Sequence, residues 1–303
     1  MVDYTPSLWD NIEMESGFRL LAELDFEQAG AAFSKALSTP SGNEKVLKLG
    51  LTACNYWGSR IKNFLSSEHC EGNKLADTLI LLKEYQAYSF TQLKTFGTHL
   101  LKLLEAGIRK RFSEHTDKNN STDSSMSTDE KTLWTLLVDL LLSNSQLIQN
   151  APDLLDTLSA HYPSASTVHF LRAESYYQCR DIKQARSIYS YSMLHFPGQI
   201  DKTRFIPEEI RTLLQEHGDY MAPVFGTIQG LFPEIQIEPG FTPINKQHQI
   251  ALDSYKYYLL SESSLKHQDL KTATQYRKKL FNTDQSSFRA YLSSLKQREG
   301  RLS

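Results

Sequence analysis

Nine histidines and three cysteines are the side chains with the widest chemical scope in this chain of 303 residues. His69, His99, His115, His161, His169, His195, His217, His248 and His267 are scattered. None has another histidine three or four residues away, the spacing at which a helix turns two imidazoles toward one metal ion. Glu68-His69-Cys70-Glu71 is the densest run of ligand types. Four consecutive residues cannot converge on one ion from a regular helix, and the run falls in an expected inter-helix turn. No metal site and no cofactor is expected. Cys54, Cys70 and Cys179 lie far apart and form no CxxC pair, which argues against a disulfide framework or structural zinc. Cys179 ends an expected helix, where a small helix-terminal filler is a simpler reading than a reactive thiol. No phosphate loop, GxGxxG, HExxH or GxSxG is present, and no acid–base pair stands out. The expectation is a protein that is not an enzyme, with no catalytic residue.

Bulk properties agree with a folded, non-membrane chain. Hydrophobic residues make up 40% and charged residues 22%, enough apolar material for a sizeable core. The N-terminal Met-Val-Asp-Tyr-Thr-Pro has no apolar core of a secretory signal. The longest apolar stretch, Leu136 to Leu142, is interrupted by Asp139, and about 20 apolar residues are needed to span a bilayer. A cytoplasmic location with no membrane partner is therefore expected, in line with sparse, unpaired cysteines. Net charge is −2, but it is uneven: Lys266 to Ser303 carries nine Lys/Arg against three Asp/Glu, a net of +6, which leaves −8 for the other residues.

The elements that must position these side chains are helices. Apolar residues recur at three- and four-residue spacing, as in Leu75, Leu79, Leu82 and Tyr85. Caps and breakers place helices at 7–24, 26–39, 43–66 and 72–112, the last with a break near Gly97, then at 129–149, 152–161, 165–179, 182–196, 207–217 and 219–230. Three more follow at 246–266, 270–282 and 285–298. The best strand candidate, Ile235-Gln236-Ile237, sits between Pro233 and Pro239 and reads as extended loop in an irregular, partly apolar connector over 232–245. Ser113 to Lys131 has almost no apolar side chains and reads as a flexible loop.

Aligned with itself, the chain repeats a pattern three times. The copies begin Asp25-Phe26-Glu27-Gln28-Ala29, Asp181-Ile182-Lys183-Gln184-Ala185 and Asp269-Leu270-Lys271-Thr272-Ala273. Each Asp suits an N-cap, because its carboxylate accepts orphan amide hydrogens of the first helical turn. Eight residues before each Asp stands a small residue, Gly17, Ala173 or Ser261. Small residues facing one another across a hairpin permit close antiparallel packing.

This arrangement resembles the tetratricopeptide (TPR) helix–turn–helix. The first copy carries Gly17, Leu20, Phe26, Ala29, Phe33 and Ala36. The second carries Ala173, Tyr176, Ile182, Ala185, Tyr189, Ser192 and Pro197. The third departs from the pattern, with Arg277 where an aromatic belongs and no Pro, and 132–163 reads as a degenerate copy. The resemblance implies an all-α fold, an α-solenoid of antiparallel TPR-like helix pairs. It divides the chain into an N-terminal TPR-like helical region over 1–112, the flexible loop over 113–131 and a C-terminal TPR-like region over 132–303. An unrelated helical bundle is the competing fold.

By the same resemblance, the first helix of each pair lines a concave groove. That face carries Phe170, Glu174 and Tyr177 in the second copy and Tyr255, Tyr258 and Glu262 in the third, all expected to bind a partner; the alternative is burial by neighbouring helices. In the first copy it carries Met14, Phe18, Leu21 and Ala22, too apolar to face water, so either the chain or a partner covers it. Met14, Phe18, Phe170 and Glu174 stand where the TPR clamp for chaperone tails has Lys, Arg and Asn, so that ligand is not implied.

The leading functional expectation is a non-enzymatic scaffold or adaptor that binds a protein peptide or helix in a TPR-like groove. A structural subunit of a larger complex is the alternative. The basic residues Arg277, Lys278 and Lys279 are also expected to contact a partner. With Arg289, Lys296 and Arg298 on the next helix, they suit a solvated cap, an acidic protein surface or, least, nucleic acid.

Overall fold

The computed structural model describes residues 8–38, 43–66, 74–118, 126–237 and 241–299. Among these residues the regular structure is thirteen α-helices, with no strand, in keeping with an all-α chain. The contacts divide the chain into two compact units, Met1–Asn150 and Ala151–Ser303. The Glu68-His69-Cys70-Glu71 run lies outside the described residues.

The first unit holds α1 (Leu8–Ala22), α2 (Phe26–Leu37), α3 (Glu44–Ser66), α4 (Lys74–Ala87), α5 (Lys94–Lys118) and α6 (Thr128–Ser143). Helix α2 buries Ala29, Ala32, Phe33 and Ala36 along one stripe, the spacing that puts side chains on a single helix face. Phe33 is pressed between two helices that lack side chains where it enters. A Cβ built on Gly17 of α1 would lie 2.6 Å from the Phe33 ring, and one on Gly50 of α3 would lie 2.5 Å from it. The ring is fully buried, a burial that contributes about 1.5–3 kcal/mol.

The expected 72–112 helix is two helices. The break runs over Tyr88–Leu93, earlier than Gly97. Phe90 leaves the helical path to stack among Trp57, Tyr85, Tyr88 and Phe96. Gly97 is the floor of that cluster: its carbonyl accepts from the Tyr85 hydroxyl at 2.9 Å. The apolar face of α1 is covered within the chain. Leu21 is fully buried, Phe18 meets Phe33 edge-on at 4.9 Å, and α5 packs on α1, where the His99 ring bonds the Ala22 carbonyl.

Two expectations about organisation are corrected here. The proposed loop 113–131 is helical at both flanks, since α5 runs to Lys118 and α6 starts at Thr128. The start of α6 is set by a reciprocal cap, in which Ser127 accepts from the Glu130 amide and Glu130 accepts from the Ser127 amide. The boundary also moves. Helix α6 packs on α4 and α5, so the first unit runs to Asn150 rather than ending at 112, and 132–163 straddles the two units.

The second unit holds α7 (Asn150–His161, which begins at the boundary), α8 (Ser166–Gln178), α9 (Ile182–His195), α10 (Glu208–Ile228), α11 (Lys246–Lys266), α12 (Leu270–Thr283) and α13 (Gln285–Glu299). The expected helices 207–217 and 219–230 are both present within α10 and meet at a kink. Gly218 sits at φ 72° and ψ 170°, a left-sided backbone that glycine adopts readily. The connector before α11 is extended as expected. Tyr255 bonds both backbone groups of Ile235, accepting from its amide at 2.8 Å and donating to its carbonyl at 3.2 Å. Pro239 and Gly240 lie outside the described residues.

Candidate partner-binding surface

The three Asp-led copies form three matching turns. In each, the residue before the Asp has a positive φ: 63° at Leu24, 66° at Arg180 and 59° at Gln268. The Asp residues follow with near-identical backbones, φ −85° and ψ 78° at Asp25, −84° and 72° at Asp181, −87° and 79° at Asp269. The backbone bonds also match. The Asp25, Asp181 and Asp269 amides reach back five residues to Leu20, Tyr176 and Ser264, while Leu24, Arg180 and Gln268 reach back three. This is the Schellman closure of one helix. The same Asp then caps the next helix, its Oδ1 accepting from the Gln28, Gln184 or Thr272 amide at 3.0–3.1 Å. One residue thus ends one helix and begins another in α1–α2, α8–α9 and α11–α12.

The residues expected to line a groove lie elsewhere than on an open face. Phe170 is 8% exposed and belongs to a core cluster with Ile188, Tyr189, Ile200 and Ile206. Tyr255 and Tyr258 are 0% and 3% exposed, packed with Tyr291 of α13 and with Ile235 and Ile237. Burial raises the Tyr258 and Tyr255 hydroxyl pKa values above the ordinary tyrosine range. These three are core residues, and their burial by neighbouring segments corrects the expectation of partner anchors. Tyr177 is half-buried and faces Phe205 at 5.6 Å.

The two glutamates are also engaged within the chain. Glu174 accepts from Arg204 Nε at 2.9 Å and from Gln178 Nε2 at 3.1 Å. Glu262 accepts from Arg298 Nη1 at 2.7 Å. Each follows the small residue of its hairpin, Ala173 or Ser261, and each is buried. A buried carboxylate needs such a partner, since an unpaired one costs several kcal/mol. Arg204 and Arg298, the two clamps, carry no repeat signal. They stand 30 and 36 residues beyond their glutamates, so sequence reasoning passed over Arg204 and placed Arg298 with the basic surface, where the structure pairs it with Glu262 instead.

The expected basic triad splits by direction. Consecutive residues on a helix point about 100° apart. Arg277 turns inward, its guanidinium 5.6 Å over the Tyr291 ring. In the third copy, therefore, Tyr291 of α13 supplies the ring that Phe33 supplies in the first; its hydroxyl lies 3.0 Å from Ser261 Oγ. The Lys279 ammonium lies 5.7 Å from the Tyr257 ring and 5.3 Å from the Tyr276 ring, a favourable placement for a cation. Lys278 is exposed on the outer face.

Little else invites chemistry. A shallow cleft of about 440 Å³ lies beside Arg186, Glu209 and Glu216, with Arg186 and Glu209 already paired at 3.3 Å. Burial pushes the Cys54 thiol up to about 11 and raises Cys179 as well, the opposite of an activated thiolate. Among the described residues no group of His, Cys, Asp or Glu converges on a metal position, and no helix is long and apolar enough to cross a membrane. No protein family, no curated protein and no solved structure matches this chain.

Proposed function

We propose that this protein is a non-enzymatic interaction scaffold built from TPR-like hairpins, and that it docks an acidic protein partner through the outer face of α12 and α13. The observation that carries the proposal is the uncompensated positive charge of that face. Between Leu270 and Arg298 the only carboxylate is Asp284, and it accepts the Ser287 amide at 2.7 Å as a helix cap. Lys271, Lys278, Arg289 and Lys296 are exposed with no carboxylate in ion-pair range among the described residues. A solubility cap would be served equally by glutamate, so the uniform sign favours a negative partner. The matching turns at Asp25, Asp181 and Asp269 support the TPR resemblance. An open peptide groove on the first helices of the second and third copies is not part of the proposal, because Phe170, Tyr255 and Tyr258 fill their own core.

That same burial favours a second reading, a fixed subunit of a larger complex that packs through its outer helical surface. The test is comparative capture from the source cells. Wild type and a Lys278→Glu, Arg289→Glu, Lys296→Glu variant are immobilised, and recovered proteins are compared across a salt gradient. Partners that bind wild type, elute with moderate salt and are lost from the variant are expected. Equal recovery by both would overturn docking on α12–α13, and salt-resistant recovery by both would favour the fixed-subunit reading.

A further inference from the structure

The basic face of α12 and α13 also carries an apolar element. Phe281, at the end of α12, is 42% exposed and meets Phe288 of α13 edge-on at 5.3 Å. A large ring left in water beside unpaired cations is an incomplete contact. Phe281 follows Lys278 by three residues and so shares its side of α12; Arg289 comes directly after Phe288 on α13, about 100° around the helix, and is exposed. The cations fall in two rows. Lys271 and Lys278 are seven residues apart on α12, and Arg289 and Lys296 are seven apart on α13. Seven residues are about 10.5 Å along a helix, two turns on one side.

We propose that this surface takes an acidic amphipathic helix from a partner protein, with carboxylates spaced seven residues apart on the lysine and arginine rows and an apolar side chain against the Phe281–Phe288 pair. The proposal rests on the scaffold reading above and names the chemistry of its partner. An extended polyanion fits less well, since nothing in a phosphate chain would cover an exposed phenylalanine edge. Arg277 and Lys279 are outside the contact, because the first packs on Tyr291 and the second on Tyr257 and Tyr276. Arg298 and Lys266 are outside it too, paired with Glu262 and Glu234.

The experiment measures fluorescence anisotropy with three labelled probes. The first is a helical peptide with Glu at seven-residue spacing and Leu on the adjoining positions. The second is a scrambled peptide of equal composition, and the third is a short DNA duplex. The patterned peptide is expected to bind about tenfold or more tightly than the scrambled one, a difference of about 1.4 kcal/mol. Phe281→Ser should remove most of that advantage, and Lys278→Glu with Arg289→Glu should abolish binding of both peptides. Lys183→Glu, an exposed lysine on α9, should change nothing. Circular dichroism checks that each variant remains helical; a Phe281→Ser chain that fails to fold would be replaced by Phe281→Gln. Equal affinity for the two peptides, unaffected at Phe281, would overturn this inference and leave the basic docking face standing. No binding of either peptide at low salt would overturn both. Tighter binding of the duplex than of the patterned peptide would overturn the inference in favour of nucleic acid.

Discussion

Arg298 of α13 reaches back to Glu262 of α11, Nη1 to Oε2 at 2.7 Å, and so ties the last helix of the second unit to the residue beside the small Ser261. Arg204 does the same for Glu174 beside Ala173. Two hairpins thus bury an acid at the same position and recruit an arginine from different elements.

The two clamps differ in solvent exposure. The Arg204 side chain is 21% exposed and that of Arg298 47%. Removing the charge with Glu174→Gln or Glu262→Gln is expected to cost about 1–3 kcal/mol. Water screens the more exposed pair, so Glu262→Gln should be the milder change. Urea unfolding of both variants checks the order; a larger loss at Glu262 would contradict it.

Gly17 and Gly30 should respond oppositely to alanine. At Gly17 the new methyl meets the Phe33 ring at 2.6 Å, with Gly50 closing the other side. Overpacking there is expected to cost about 1–3 kcal/mol. At Gly30 of α2 the nearest atoms are 3.9 and 4.0 Å away, so the methyl fits and Gly30→Ala should stabilise by about 0.5–1 kcal/mol through helix propensity. Thermal melts of the pair test whether close approach, rather than glycine as such, is what α1–α2–α3 requires.

The hairpin turns place ordinary residues at a left-handed backbone, φ 63° at Leu24 and 59° at Gln268. L-residues there carry a penalty of roughly 1–2 kcal/mol. Leu24→Gly and Gln268→Gly should each stabilise by about 0.5 kcal/mol, because glycine removes the strain but costs more entropy on folding. Asp181→Ala should destabilise by about 1 kcal/mol, since it loses the cap that accepts the Gln184 amide.

Stability should fall on mild acidification. Burial lowers the pKa of His169, His217 and His248 below the usual imidazole value. His248 is held neutral from both sides, donating from Nε2 to the Leu194 carbonyl at 2.7 Å and accepting the Ile244 amide on Nδ1 at 3.2 Å. His169 donates from Nε2 to the Pro163 carbonyl at 2.8 Å. Because the folded pKa values lie below the unfolded value of about 6.5, the unfolded chain binds more protons as pH drops. Stability is then whole above that value and declines as pH falls through it toward the folded values. A melting temperature lower at pH 5.5 than at pH 7.5 is expected, with the difference reduced in His169→Gln, His248→Gln. The carboxylates with lowered pKa, Glu44, Asp201 and Asp269, titrate in a more acidic window and do not contribute to this one.

Local signals were legible wherever the chain interacts with its own near neighbours. The helix class, the Asp caps at 25, 181 and 269, the small residues at 17, 173 and 261 and the extended connector around Ile235 follow from capping chemistry, periodicity and proline placement, all of which act within a few residues. Boundaries that depend on remote packing were not legible. The helix end at Tyr88 exists because Phe90 finds Trp57 and Gly97. Helix at 113–118 and at 128–131, where a loop was expected, lies in polar sequence that no apolar periodicity marks.

The same division separates the surface from the core. The sequence determines that Phe170, Tyr255 and Tyr258 share helix faces with Glu174 and Glu262, because side-chain direction on a helix depends only on residue spacing. Whether those faces meet water or protein is decided in three dimensions, by Ile200, Ile206 and Arg204 on one and by Ile235, Tyr291 and Arg298 on the other. An amphipathic pattern requires that an apolar face be covered, but the covering atoms come from segments tens of residues away, and burial does not depend on which segment supplies them. The positive charge of α12 and α13 was visible in the sequence from the start. That Arg277 turns inward while Lys278 stays in solvent was settled only when α13 brought Tyr291 against Ser261.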